Sequence, residues 1–229
     1  MRIDNLCDGD ARAIFKNTDL DLRVYDKLKM FVHAEERNPV YSIPEGELRI
    51  FVRIGSDFQN NYYEYEIPLS ISDPDKVSGV NPVFPEYKRE VWKPENEFNF
   101  QLTILRQLKE ERNQVNANQS DEYIKVLDPS DPLHSHVIKV KGNPNLGYVR
   151  GFMIGVRNPK NDGAAYSTEI WVNELRVAGL DERGGLAAVA RMDMQLADLG
   201  NLTLSGNLNS VGFGALDDGV TERSREEIK

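Results

Sequence analysis

Only a few residues in this sequence have the types and spacing that chemistry requires. His134-Ser135-His136 places two imidazoles on alternate positions, where a strand could offer both to a metal. A third ligand is missing nearby: the remaining histidine is His33 and the single cysteine is Cys7. Asp8-Gly9-Asp10 and Asp19-x-Asp21 cluster oxygens as a hard cation prefers, but neither fits the calcium-loop frame with its distal glutamate. Gly142 and Gly147 have the glycine spacing of a phosphate loop, yet Tyr148 and Val149 stand where Lys and Ser/Thr must follow. No Gly-x-Ser-x-Gly elbow occurs, so acyl transfer has no visible nucleophile. The reading is therefore a non-enzymatic chain with no catalytic residues, no metal and no cofactor.

One binding constellation stands out. Tyr62, Tyr63, Tyr65 and Trp92 could supply an aromatic platform for a sugar, with Tyr62 and Trp92 as its candidate binding residues. The bland reading makes Tyr63 and Tyr65 core residues and Tyr62 their neighbour at a hairpin loop.

Composition narrows the classes further. The chain has 229 residues, 40% hydrophobic and 28% charged, as expected of a folded protein rather than a disordered one. Its 37 acidic against 28 basic side chains give a net charge of −9, which argues against nucleic acid as a partner. With one cysteine no intrachain disulfide forms, and the redox compartment cannot be read. The first residues lack a signal-peptide pattern, and no run approaches the roughly 20 apolar residues of a membrane-spanning helix. Taken alone, this points to the cytoplasm if Met1 is the natural start.

The elements that must carry these residues are mostly strands. Leu28, Met30, Val32 and Ala34 alternate with Lys29, Phe31 and His33, the period of a half-buried strand. Leu48, Ile50, Val52 and Ile54 do the same, and after a loop rich in Asp and Asn so do Tyr63, Tyr65, Ile67, Leu69 and Ile71. Glu64 and Glu66 fall on the opposite face of that last run. The two runs predict a hairpin with a longer loop. Residues 72–94 read as loop. One helix is expected from about 95 to 113, with Phe98, Leu102, Leu105 and Leu108 as its apolar stripe. Further strands are expected over 123–126, 136–140, 148–157 and 168–177. Gly151 and Gly155 within the third imply a bulge or a close backbone approach. The pattern predicts a mainly β fold: a β-sandwich, jelly-roll-like, with one helix, over residues 1–181.

After Gly184-Gly185 the character changes. Ala188, Ala190, Met192, Met194 and Leu196 alternate with Arg191, Asp193 and Gln195. A turn at Asp198-Leu199-Gly200 reverses the chain. Leu202, Leu204, Gly206 and Leu208 then alternate with Thr203, Ser205, Asn207 and Asn209. Each run has the length of a tilted strand crossing a bilayer. For a single hairpin, covering a soluble core explains the pattern equally well. The domains expected are thus a sandwich over 1–181, a hairpin over 182–216 and a charged loop or tail over 217–229.

Several segments taken together resemble one family. They are GDARAIFKNT over 9–18, KLKMFVHAE over 27–35, GSDFQNNYYEYEIPL over 55–69, MIGVRN over 153–158, EIWVNELR over 169–176, ADLG over 197–200 and VGFGA over 211–215. In this order they resemble the SprA (Sov) family, giant outer-membrane proteins of type IX secretion and gliding motility in Bacteroidetes-type bacteria. The resemblance implies an internal segment of a much longer protein-conducting barrel, located in the outer membrane, with the sandwich exposed to periplasm or cell surface. Its implied partners are the rest of the same chain, a plug protein, a PorV-like barrel protein that shuttles cargo, secreted cargo proteins and outer-membrane lipid. On this view 187–210 is a hairpin of outer-membrane β-barrel strands. Arg191, Asp193, Gln195, Thr203, Ser205, Asn207 and Asn209 would face the lumen. Met192, Met194, Leu196, Leu202, Leu204 and Leu208 would face lipid. The alternative function is a free carbohydrate-binding, lectin-like module built around Tyr62 and Trp92.

Overall fold

The computed structural model describes residues 1–37, 42–73, 76, 85–131, 133–160, 162–180, 187–209 and 227–228. The fold is mainly β, arranged in several sheets. The chain divides into two compact units, Met1–Gly179 and Leu180–Lys229.

Among the described residues the first unit holds ten strands, the last running one residue past its end: β1 (Arg2–Leu6), β2 (Ala11–Leu20), β3 (Tyr25–Glu36), β4 (Arg49–Gly55), β5 (Tyr62–Pro68), β6 (Phe98–Gln101), β7 (Tyr123–Val126), β8 (Val137–Lys141), β9 (Val149–Arg157) and β10 (Tyr166–Leu180). They form a four-stranded sheet in the order β1-β10-β3-β6 and a six-stranded sheet in the order β2-β9-β4-β5-β8-β7. All the pairings with a defined register are antiparallel. Set aside the β7–β8 hairpin, and the pairs β1·β10, β2·β9, β3·β6 and β4·β5 nest like one long hairpin wound up.

The two sheets face each other across one core. Leu28, Met30, Val32 and Ala34 of β3 meet Ile50, Val52 and Ile54 of β4 and Tyr63, Tyr65 and Ile67 of β5 in a single buried cluster. Contact between the sheets is direct at Tyr65 of β5, whose ring stacks on Phe100 of β6 at 3.9 Å between centroids. This is the inward face that the period-two alternation predicts, and each such aliphatic side chain contributes about 1.5–3 kcal/mol on burial. Tyr63 and Tyr65 are accordingly core residues.

Two expectations need correction. The helix starts later than its apolar stripe implies: α2 runs Thr103–Gln114, while Pro94–Asn96 is a 3-10 turn and Phe98 belongs to β6. Phe98 and Phe100 are buried and Asn99 and Gln101 exposed, so the period there is two rather than 3.6. The stripe Leu102, Leu105 and Leu108 is buried as expected. Within the stretch read as loop, Pro85–Val91 forms a short helix, α1. At the N-terminus, for which the pattern carries no expectation, β1 and β2 are strands that alternation does not reveal. β2 is an edge strand with both faces largely exposed, so nothing forces its sequence to alternate.

The second unit contains β11 (Ala187–Gln195), a 3-10 turn at Ala197–Leu199, β12 (Asn201–Asn209) and a short β13 (Glu227–Ile228) beside β12. Strands β11 and β12 pair without a register break from Ala187↔Asn209 to Gln195↔Asn201. The turn closes through the Leu196 N–H, which donates to the Gly200 carbonyl at 2.7 Å. Gly200 has φ of 134°, a conformation that L side chains rarely adopt, so glycine suits this reversal. The boundary expected near 181 and most of the tail expected at 217–229 lie outside the described residues.

Candidate functional site: a charge ladder beneath an open groove

The outward face of the six-stranded sheet holds what the sequence pattern presented as an ordinary polar face. Glu64 on β5 stands between Arg53 on β4 and Lys139 on β8 in the strand register. Its Oε2 accepts from Arg53 Nε at 2.8 Å and Nη2 at 2.6 Å, and its Oε1 from Lys139 Nζ at 2.8 Å and Arg157 Nη1 at 3.1 Å. Two residues on, Glu66 accepts from Arg49 Nε at 2.6 Å, from Lys139 Nζ at 3.2 Å and from Arg157. Arg49 and Arg53 also donate to the carbonyls of Ser135 and Phe58, each at 2.5 Å.

These groups are not a solvated face. Glu64 is 0% and Glu66 4% exposed. Burial alone would raise the Glu64 carboxyl above its ordinary value of 4.5. Lys139, Arg157 and Arg53 outweigh that and hold it at about 2. Arg157, desolvated in turn, is kept firmly charged by Glu64 and Glu66. A carboxylate this acidic and this fully bonded is a poor base at neutral pH. The ladder locks four strands together, and rings cover it: Arg53 lies 3.8 Å over Tyr62, and Arg157 lies 4.6 Å over Phe51.

Beside the ladder, a groove of 1110 Å³ crosses β2, β9 and β4 to the 56–60 loop. Gly151 and Met153 of β9 lie along it. Gly151 has no room for a side chain, because a Cβ there would sit 2.4 Å from the Phe58 ring. At Gly155 a Cβ would meet the Phe51 ring, also at 2.4 Å. Close approach accounts for both glycines, and at Gly151 the pairing with β2 also shifts register, between Asn17 and Leu20, while the pairing with β4 runs unbroken. Phe15 (64% exposed) and Phe58 form a tilted ring pair at 5.6 Å. The loop is held by Asp57, whose Oδ1 accepts the backbone N–H groups of Gln59, Asn60 and Asn61. Burial raises its carboxyl, but those bonds and the Asn61 side-chain amide together outweigh it and hold the group at about 2.

The residues singled out by sequence fall elsewhere. Tyr62 is buried, with its hydroxyl donating to Glu122 and its ring under Arg53, so it offers no free face. Trp92 is half-buried and packs edge-on against Phe31 and His33 of β3. Tyr62 belongs to the six-stranded sheet and Trp92 packs on the four-stranded one, so they make no common sugar platform. Burial of Tyr62 by the ladder is the physical reason. His134 pairs with Asp131 at 2.8 Å, which raises its pKa, and His136 meets the Tyr65 hydroxyl at 2.9 Å. Among the described residues no cluster of three His, Cys, Asp or Glu is placed to hold a metal ion. Asp8 instead accepts the Gly163 N–H, and Asp21 pairs with Arg23.

On the hairpin, the register sets Met192 opposite Leu204, Met194 opposite Leu202, Ala190 opposite Gly206 and Ala188 opposite Leu208. Arg191 opposes Ser205, Asp193 opposes Thr203, Gln195 opposes Asn201 and Val189 opposes Asn207. Alternation along both strands puts the first set on one face and the second on the other. Val189 is the single large apolar residue among the polar set. Leu196 follows the end of β11 at the turn, and Asn209 pairs with Ala187 through its backbone. Arg191, Asp193 and Thr203 are linked in a small surface network, with Thr203 Oγ1 donating to Asp193 at 2.8 Å.

A search of curated proteins returns no match to this sequence. A family model, by contrast, matches residues 1–229, the whole of the given sequence, and the chain belongs to the SprA N-terminal family, described as motility related/secretion protein.

Proposed function

We propose that this chain is a non-catalytic segment of an outer-membrane protein-conducting translocon, in which β11 and β12 are two strands of a large barrel and the sandwich is an insert outside the bilayer. The observation that carries this reading is the hairpin. Two nine-residue strands pair in perfect register and segregate Met192, Met194, Leu202, Leu204 and Leu208 from Arg191, Asp193, Gln195, Thr203, Ser205 and Asn207. Nine residues is the length of a tilted strand that crosses the hydrocarbon core. The apolar face remains open, with Leu204 52% and Met192 47% exposed. Membership in a motility and secretion family supports the same reading.

On this proposal the polar face lines a wide aqueous lumen, and the apolar face meets outer-membrane lipid. A plug protein, a PorV-like shuttle protein and secreted cargo are the partners. The nested pairing of the sandwich supports a jelly-roll, enlarged by the β7–β8 hairpin on the edge beside β5. Spin labels at Leu204 and Ser205 of the full-length protein in bilayers test the assignment. A lipid-soluble relaxant should reach the first and a water-soluble one the second. Equal accessibility of both sites to the lipid-soluble relaxant would sink the proposal.

A further inference from the structure

The translocon reading leaves the groove on the six-stranded sheet without a role. We propose that this groove, with the exposed ring of Phe15 and the planar side chains of Asn17, Asp19, Asn60 and Arg150, is a binding site for an oligosaccharide.

The lining supports this in three ways. Phe15 presents an aromatic face to solvent on a sheet, with Phe58 beside it to fix its setting. Such a face suits the C–H-rich side of a pyranose, an apolar surface on an otherwise polar molecule. Asn17, Asp19 and Asn60 place amide and carboxylate side chains along the groove, and Arg150 adds a guanidinium whose neighbour is the Tyr148 ring. Among the described residues these four side chains make no hydrogen bond or ion pair. They combine donors and acceptors, as vicinal hydroxyls demand. The floor is also preformed: Asp57 holds the 56–60 loop by three backbone bonds, and the Arg53–Glu64 pair lies beneath it. Little ordering is left for the ligand to impose.

Strand topology separates a glycan from an extended peptide. The groove crosses three strands on the face of the sheet, and the free edge that borders it is the outer edge of β2, where an added strand would lie beside the groove rather than in it. An added peptide strand needs a free sheet edge for its own backbone groups. A glycan needs only side chains. At 1110 Å³ the groove exceeds the about 300–1,000 Å³ of compact small-molecule sites, which favours several sugar units over one.

The test uses the 229-residue chain with maltotetraose, cellotetraose, chitotetraose and mannotetraose, followed by calorimetry and by amide and ring chemical shifts. At least one should bind with a dissociation constant of about 0.1–1 mM, shifting the Gly151 amide and the Phe15 ring. Phe15→Ala and Arg150→Ala should each weaken it by about tenfold or more, with an unchanged melting temperature because both residues are exposed. Trp92→Phe, on the other sheet, should leave it unaltered. Silence from all four sugars at about 10 mM, or binding indifferent to both groove substitutions, overturns the proposal. So does a hexapeptide of alternating Thr and Val that shifts the groove signals when the sugars do not.

Discussion

Replacing Glu64 by glutamine keeps the shape of the side chain and removes its charge from the centre of three cations, Arg53, Lys139 and Arg157. In the native protein Lys139, Arg157 and Arg53 hold this carboxyl at about 2 against an ordinary 4.5. That drop, at about 1.4 kcal/mol per pH unit, corresponds to about 3 kcal/mol of stability from the charged form. Because the folded value is the lower one, the contribution is complete above pH 4.5 and is lost as pH falls towards about 2. The glutamine variant lacks it at every pH. Seen from the cations, the same loss leaves Arg53 and Lys139 short of a buried counter-charge, in line with the about 3–5 kcal/mol that follows when one member of such a network is removed. Urea unfolding of both proteins between pH 7 and pH 2 reads these quantities. The wild type should be more stable by several kcal/mol at neutral pH, and the gap should narrow by about 3 kcal/mol at the acid end. Asp57 and the other low-titrating carboxylates act in both proteins, so the difference isolates Glu64. Parallel curves, with a gap that does not change with pH, would refute the reasoning.

Other substitutions probe the surroundings. Gly155→Val forces a branched side chain against the Phe51 ring and the Ala13 Cβ, and should cost about 1–3 kcal/mol in thermal or chemical unfolding. Gly206→Ala, where a Cβ meets nothing within 4 Å, should stay within about 0.5 kcal/mol. Asp57→Ala frees three backbone N–H groups of the 56–60 loop. It should destabilise by about 1–2 kcal/mol and speed amide exchange at Asn60 and Asn61, which hydrogen-exchange measurements would detect.

Much of the architecture is legible in the residues themselves. Strands β3, β4 and β5 declare themselves because each buries one face, and burial on one face imposes a period of two. The hairpin β11–β12 is visible for the same reason, since its two faces differ in polarity along the whole length. Where that pressure is absent the signal fails. Edge strand β2 has neither face buried, and Phe98-x-Phe100 is too short a run to outweigh the helical spacing that leads on to Leu102, Leu105 and Leu108. The family membership, too, is carried by ordered sequence segments and needs no coordinates.

The ladder and the groove are different. Local sequence shows Glu64 and Glu66 on the face opposite Tyr63 and Tyr65, which is correct, and suggests that water solvates them. It cannot show that β8 and β9 bring Lys139 and Arg157 beside them from 75 and 93 residues away. Charge in a protein is solvated or paired according to what the fold packs against it, and that is a property of strand order. Likewise Tyr62 looked available until Arg53 and Glu122 closed over it. The sequence alone determined which residues face inward and that the hairpin has two chemically distinct faces, because periodicity is local. Only the tertiary structure decided which outward residues are buried and which outward ring, Phe15, stays open, because those depend on partners distant in the chain.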